Sequence, residues 1–174
     1  MTLYEFEGKI PRIGRDTYVS EHADIIGDVI IGDNCFIGSG ARIRGDYGKI
    51  IIGSRVSIQE NCILHAAPET KLVIGDSVNV GHGAILHHCR VGDRSIIGMG
   101  AIVSYGAEIG EECIIGEGCV VERNQKIPSR KIAVGIPARI IGDVEEEKLG
   151  WKGKKSYEMY SELAKRYLRG LKKL

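Results

Sequence analysis

The chain has 174 residues, a net charge of +1 and five cysteines. Charges of both signs are mixed throughout, which leaves no basic stripe for nucleic acid and no cationic face for a membrane. No apolar run approaches the roughly eighteen residues of a membrane span, and Met1-Thr2-Leu3-Tyr4-Glu5 opens no signal peptide, so a cytoplasmic location is expected.

A single domain over 1–174 is expected, beginning with an entry strand at 1–12 that covers the open end of a repeat array. From Ile13 an aliphatic recurs every six residues: Val19, Ile25, Ile31, Ile37 and Ile43, then Ile52, Ile58 and Leu64, then Ile74, Val80 and Leu86. The count runs on through Val91, Ile97, Val103, Ile109, Ile115, Val121 and Ile127. Gly often follows the aliphatic, and a small residue such as Ala23, Cys35, Ala41 or Cys62 usually sits four after it. So short a period predicts a solenoid, because each repeat buries its apolar residue only by stacking on neighbours. The pattern resembles the left-handed parallel β-helix of the hexapeptide-repeat proteins, in which three hexads make one triangular coil. The breaks agree with that grouping, since they fall after Ile43, Leu64 and Leu86, each the third hexad of a set. About six coils over 13–140 are expected, with the insertions bulging from the corner after the third face.

Gly135-Ile136-Pro137-Ala138-Arg139 resembles the closing string of many hexapeptide proteins. A polar connector or short helix is expected around Glu145-Glu146-Glu147-Lys148. Tyr157, Tyr160, Leu163, Tyr167, Leu168 and Leu171 then fall on one helical face, which predicts a C-terminal amphipathic α-helix within 141–174, packed on the solenoid or on a neighbouring subunit. Cys35, Cys62, Cys113 and Cys119 read as buried small side chains. Cys89 lies outside that slot and is a candidate for redox chemistry or a metal contact.

The histidines carry the functional signal. His65 and His87 hold the same place in successive coils, so they stack at one corner about 4.8 Å apart. Two imidazoles so placed can chelate one ion at Zn–N distances of about 2.0–2.1 Å. His82 lies on a different face and cannot join them within one chain. A homotrimer of parallel prisms would bring in a neighbour's His82. Three histidines and an open position suit a catalytic metal. Arg44 precedes His65 in the same column and Asp46 follows in the insertion; an ion pair locking subunits is one reading of the two. Gln59 sits on the middle face.

Together, Arg44-Gly45-Asp46, Gln59, His65, His82 and His87 resemble the γ-class carbonic anhydrase family. The resemblance covers about 170 residues and implies an inter-subunit Zn²⁺ (or Fe²⁺) site with His65, His82 and His87 as ligands. It implies hydration of CO₂ to bicarbonate, with Gln59 positioning metal-bound hydroxide and the Arg44–Asp46 pair ordering the site. Tyr47 stands where the best-known members carry a Glu, which leaves Glu69 or Tyr47 as proton-relay candidates, with Tyr160 joining them if the final helix reaches the cleft. Two other functions are weighed beside this one: a metal-binding or assembly protein without turnover, and a hexapeptide acyltransferase that uses one His as general base.

Overall fold

A computed structural model describes residues 2–145, 150–151 and 154–174. It is a left-handed parallel β-helix with one C-terminal helix, Ser156–Gly170. Most strands are two residues long, and each pairs in parallel with the strands one coil before and after. In so short a strand only one side chain can point inward. The hexad aliphatic takes that place, and its outward neighbour is free to vary.

The first face stacks Ile13, Ile31, Ile52, Ile74, Val91, Ile109 and Ile127 in direct register. That makes about seven turns, one more than the six expected. Ile127 and Ala133 begin the further turn, and the antiparallel strand Arg139–Asp143 closes it. At the other end Thr2–Tyr4 pairs with Asp24–Ile26, so the expected entry strand is present. The glycines after the aliphatics are explained by the same stacking. A Cβ on Gly98 would lie 2.6 Å from the backbone of Gly116 and of Glu117, so the corner closes only without a side chain.

The insertion after Ile43 bulges as expected, but inside one continuous strand. Arg42–Ile52 rounds the corner beside Asp24–Ile31, and the register breaks between the Gly27–Gly45 and Val29–Ile50 pairs, so that Asp28 alone stands opposite residues 46–49. The insertion after Leu64 does leave the ladder, over residues 66–70.

The helix packs on its own solenoid. Tyr167 meets Tyr18 and Phe36 at ring-centroid distances of 4.9 and 5.5 Å, Tyr160 meets Phe36 at 5.4 Å, and Ala164 is fully buried. The Lys155 backbone N–H donates to Glu158 Oε2 at 3.0 Å, which fixes where the helix starts. Leu168 and Leu171 were expected on the packed face, yet both are exposed. Ring contacts with the solenoid run as far as Tyr167, and beyond it Lys173 still reaches Glu21 at 3.9 Å. Of the expected connector, residues 146–149 lie outside the described residues. No helix among the described residues is long and apolar enough to cross a membrane.

Cys89 is also corrected. It is 3% exposed and belongs to the core, and burial pushes its thiol up to about 12. Such a thiol is neither a redox nucleophile nor a metal ligand at neutral pH. The other four cysteines are buried as expected. Native protein should therefore react negligibly with a thiol reagent such as DTNB, and all five thiols should titrate only after unfolding.

A cluster at the corner between the first and middle faces ties three turns together. Glu112 pairs with Arg94 at 2.9 Å and with Arg130. Arg94 is the largest influence on its carboxyl and Arg130 adds to it, so the group sits below the usual carboxylate range despite partial burial. A carboxyl depressed in the folded state stabilises above its unfolded pKa, and that stability is lost as pH falls through the folded value. Glu112→Gln should cost about 1 kcal/mol at pH 7, because both arginines are half-exposed. Urea denaturation at pH 7 and again in strong acid checks this: the difference from wild type should vanish in acid.

Candidate functional site

The polar residues singled out in the sequence divide between two corners of one prism. The first corner joins the third face to the first. There the strands Ile63–His65 and Ile85–His87 pair in register, with His65 directly opposite His87 and Arg44 opposite His65. The register stacks the imidazoles in parallel, with centroids 5.2 Å apart and an interplanar angle of 1°. Asp46 Oδ1 lies 3.2 Å from His65 Nε2, and Asp46 Oδ2 accepts from Arg44 at 2.5 Å. Burial acts to raise the Asp46 carboxyl, but Arg44 and the Tyr47 backbone N–H outweigh it and hold the group below its ordinary range. His65 is shifted down, first by burial and then by Arg44, so its ring is neutral at pH 7. A neutral imidazole is the form that binds a metal or accepts a proton.

The stack is longer than the histidine pair. Tyr47 closes one end, edge-on to His65 at 6.5 Å, and Tyr105 closes the other, edge-on to His87 at 6.1 Å. Arg123 lies over the outer face of Tyr105 at 4.5 Å.

The second corner joins the middle face to the third. His82 stands there, with its Nδ1 2.7 Å from Glu60 Oε2. A carboxylate on one ring nitrogen fixes the ring and leaves the other nitrogen to act, which is the arrangement used to orient metal ligands and general bases alike. Gln59 lies beside it, 4% exposed, and its Nε2 donates to Asn79 Oδ1 at 3.0 Å; the Ser57 hydroxyl donates to the same oxygen. Tyr160 is on this side too. Its phenol is raised chiefly by burial, with the Glu60 charge adding to the effect.

One chain therefore brings Arg44, Asp46, His65 and His87 together, and separately gathers Gln59, Glu60, His82 and Tyr160. Among the described residues of a single chain, no group of three or more His, Cys, Asp or Glu side chains is placed to hold a metal ion. Between the two corners runs the third face, whose outward side carries Ile63, Ile85 and Ile102 in register, each 36–45% exposed. That apolar ridge lies directly beside the histidine column. Glu69 is exposed in the turn after His65, with a left-handed φ of 59°.

Sequence reasoning passed over Glu60, Asn79 and Tyr105. The first two were visible in principle. Glu60 precedes His82, and Ser57 precedes Asn79, by the same 22 residues that stack His65 on His87. Applying that offset to every polar residue would have found both. Tyr105 follows a turn of shorter repeat, so no single offset reaches it.

The buried amide network gives a direct prediction. Asn79→Ala leaves Gln59 without its acceptor in a buried place, which should lower stability by about 1–3 kcal/mol. Replacing Ser57 by Ala should cost less, because Asn79 then keeps its bond from Gln59. Urea denaturation of the two variants checks the order.

Comparisons with known proteins bear on what this arrangement does. The bacterial transferase hexapeptide family (six repeats) matches residues 11–45 and 88–123. The carnitine operon protein CaiE of Salmonella agona is 39% identical over 171 residues, covering 98% of this chain and 86% of that protein. CaiE of Escherichia coli K12 is 38% identical over 152 residues, covering 87% and 78% respectively. A Bacillus cereus structure assigned as an acetyltransferase superposes with a TM-score of 0.89 at 36% identity, covering 95% of this chain and 96% of that one. A hexapeptide transferase family protein from Anaplasma phagocytophilum gives 0.90 at 34% identity, covering 95% and 98%. These relatives overturn the expectation of a zinc carbonic anhydrase: they are named for the carnitine operon and for hexapeptide transferases, and the lyase reading with its CO₂ substrate is withdrawn. The repeat, the fold and relatives that match nearly end to end agree, and the chain belongs to the hexapeptide-repeat family, in the group of the CaiE proteins.

Proposed function

We propose that the protein is an enzyme acting on the carbonyl of an acyl substrate, at a site assembled between copies of the chain. The observation that carries this is the division of one polar set between two corners. Each half is built with fixed rings and satisfied hydrogen bonds, and neither half is complete alone. The exposed ridge of Ile63, Ile85 and Ile102 supplies an apolar contact beside the first half. A closed trimer would set the His65–His87 corner of one copy against the His82 corner of the next. The acyl substrate is suggested by the relatives, one of which is assigned as an acetyltransferase and another as a hexapeptide transferase.

The residues fit a divalent cation at that junction. His65 and His87 present parallel, stacked rings, and His82 is anchored by Glu60 in the way a ligating histidine is held. His65 and His87 of one copy with His82 of the next would hold it, and when bound it would polarise a carbonyl oxygen. The chain's own groups do the positioning. Arg44 keeps Asp46 ionised, and Asp46 fixes the His65 ring. Asn79 pins the Gln59 amide through its nitrogen, which leaves the amide oxygen to accept a hydrogen bond from substrate or water. Tyr47 and Tyr105 wall the histidine column at both ends and narrow what can approach it.

Three measurements test this reading. Light scattering should give a trimer; a stable monomer of 19.0 kDa would remove the shared site. Elemental analysis should find about one divalent ion per chain, because three ligands close one site, and His87→Ala should lose it. An unchanged metal ratio in that variant would show the ligand set to be wrong. Finally, hydrolysis of acetyl-coenzyme A, in which water takes the acetyl group as acetate and the free thiol leaves, should appear with wild type and fall at least about a hundredfold in Gln59→Ala and His82→Ala, the scale expected for groups that position or polarise. No release by the metal-loaded trimer would end the acyl reading.

A further inference from the structure

A second polar concavity lies around the corner from the histidine column. It has a volume of about 170 Å³ and is lined by Lys71, His88, Arg90 and Glu108 with the Gly106–Ala107 backbone. Such a space equals roughly five or six water molecules at about 30 Å³ each, enough for a tetrahedral oxyanion. Lys71 and Arg90 are both exposed, and among the described residues neither has an ion-pair partner. Glu108 is the only acid in the lining, and Lys126 engages it at 3.1 Å.

His88 supplies an independent observation. Its backbone is fully used: its N–H donates to His65 O at 2.9 Å, and its O accepts from the Gly106 N–H at 2.7 Å. Tyr105 lies against its ring at 4.2 Å. The residue turns the corner with φ 45°, which takes its side chain away from the His65–His87 column. Yet its Nδ1 is the one buried side-chain nitrogen or oxygen among the described residues that lacks a hydrogen-bond partner. A buried polar atom left unpaired is costly, and in a native protein it marks a place that some other group completes. Here the residue that carries the unpaired nitrogen lines a concavity that also carries two cations without ion-pair partners among the described residues.

We propose that Lys71, Arg90 and His88 form a binding site for a phosphate-class anion, distinct from the shared histidine site. Lys71 and Arg90 supply charge-assisted hydrogen bonds from adjacent turns, and His88 supplies a donor from the wall between them. The outward groove continues past Arg90 along Val73, Gly75 and Asp93 to Ser129, with a volume of about 680 Å³, so a phosphate held at Arg90 could be the end of a longer molecule. The chemistry is that of a phosphate whether it is free or the arm of a nucleotide-bearing substrate.

Calorimetric titration of the intact protein with inorganic phosphate tests the site without any need for turnover, so its outcome is independent of the acyl reading. Wild type should bind. Lys71→Ala, Arg90→Ala and His88→Ala should each weaken binding about tenfold, while His88→Ala keeps its metal content. Lys165→Ala, on the exposed side of the C-terminal helix, should bind as wild type does. Added salt should weaken the interaction. Coenzyme A that displaces phosphate identifies the arm of a substrate, and coenzyme A that does not displace it identifies free phosphate as the ligand. If Arg90→Ala proves unfolded by thermal melting, Arg90→Gln keeps the side-chain stem and gives the reading instead. Absence of binding in wild type at tens of millimolar phosphate overturns the proposal. So does equal weakening by Lys165→Ala, or unchanged affinity in both Lys71→Ala and Arg90→Ala.

Discussion

In-register stacking of parallel strands is the constraint on which the rest of this structure depends. Each turn places its aliphatic directly over the last, as Ile52 lies over Ile31 and under Ile74. A residue's height and face are then fixed together, and a polar side chain inherits an equally exact position from the aliphatic beside it. The His65 and His87 rings are parallel to within 1° because Leu64 and Leu86 are stacked in the core one residue earlier. The same register sets Ser57 against Asn79 and Arg44 against His65. A site on such a frame needs little further support, because slippage by one residue would turn every aliphatic of that strand toward solvent.

That rigidity also explains why the site is divided. A triangular prism holds its corners apart, and no side chain spans the third face from His82 to His65. Each corner instead completes its own local chemistry: Arg44, Asp46 and His65 on one side, Glu60 with His82 and Asn79 with Gln59 on the other. The hydrogen bonds of each half are satisfied before the two halves meet. In the assembly proposed above, the residues are held ready in one chain and the exposed isoleucines between the corners would form the contact.

The relatives alter the chemistry assigned to these residues without altering where they stand. The same histidines, the same Gln59 and the same Arg44–Asp46 pair are compatible with hydration of a small electrophile and with attack on an acyl carbonyl, since both need a polarised C=O and a fixed ring nitrogen. What separates the two is the substrate, which residues at the centre do not specify. Transferase relatives of nearly full coverage therefore outweigh a resemblance carried by the central residues alone.

The sequence by itself determined the repeat, the faces, the histidine column and the presence of the final helix. All of these rest on periodicity, above all a six-residue period that puts one aliphatic inward at every step, and a period is a local property. What only the tertiary structure decided depends on irregular geometry or on the reach of side chains. The strands on both sides of the bulge after Ile43 stay paired with Asp24–Ile31, which runs on around the corner beside them, and no pattern in either segment alone shows that pairing. Cys89 is buried because the turn after His87 is one residue short and swings it inward. Leu168 and Leu171 face solvent while Tyr167 beside them is packed, a difference that the apolar stripe in the sequence does not contain. Glu60 against His82, Tyr105 against His88 and the unpaired nitrogen of His88 are contacts between neighbouring turns, and they depend on distances that a one-dimensional count does not contain.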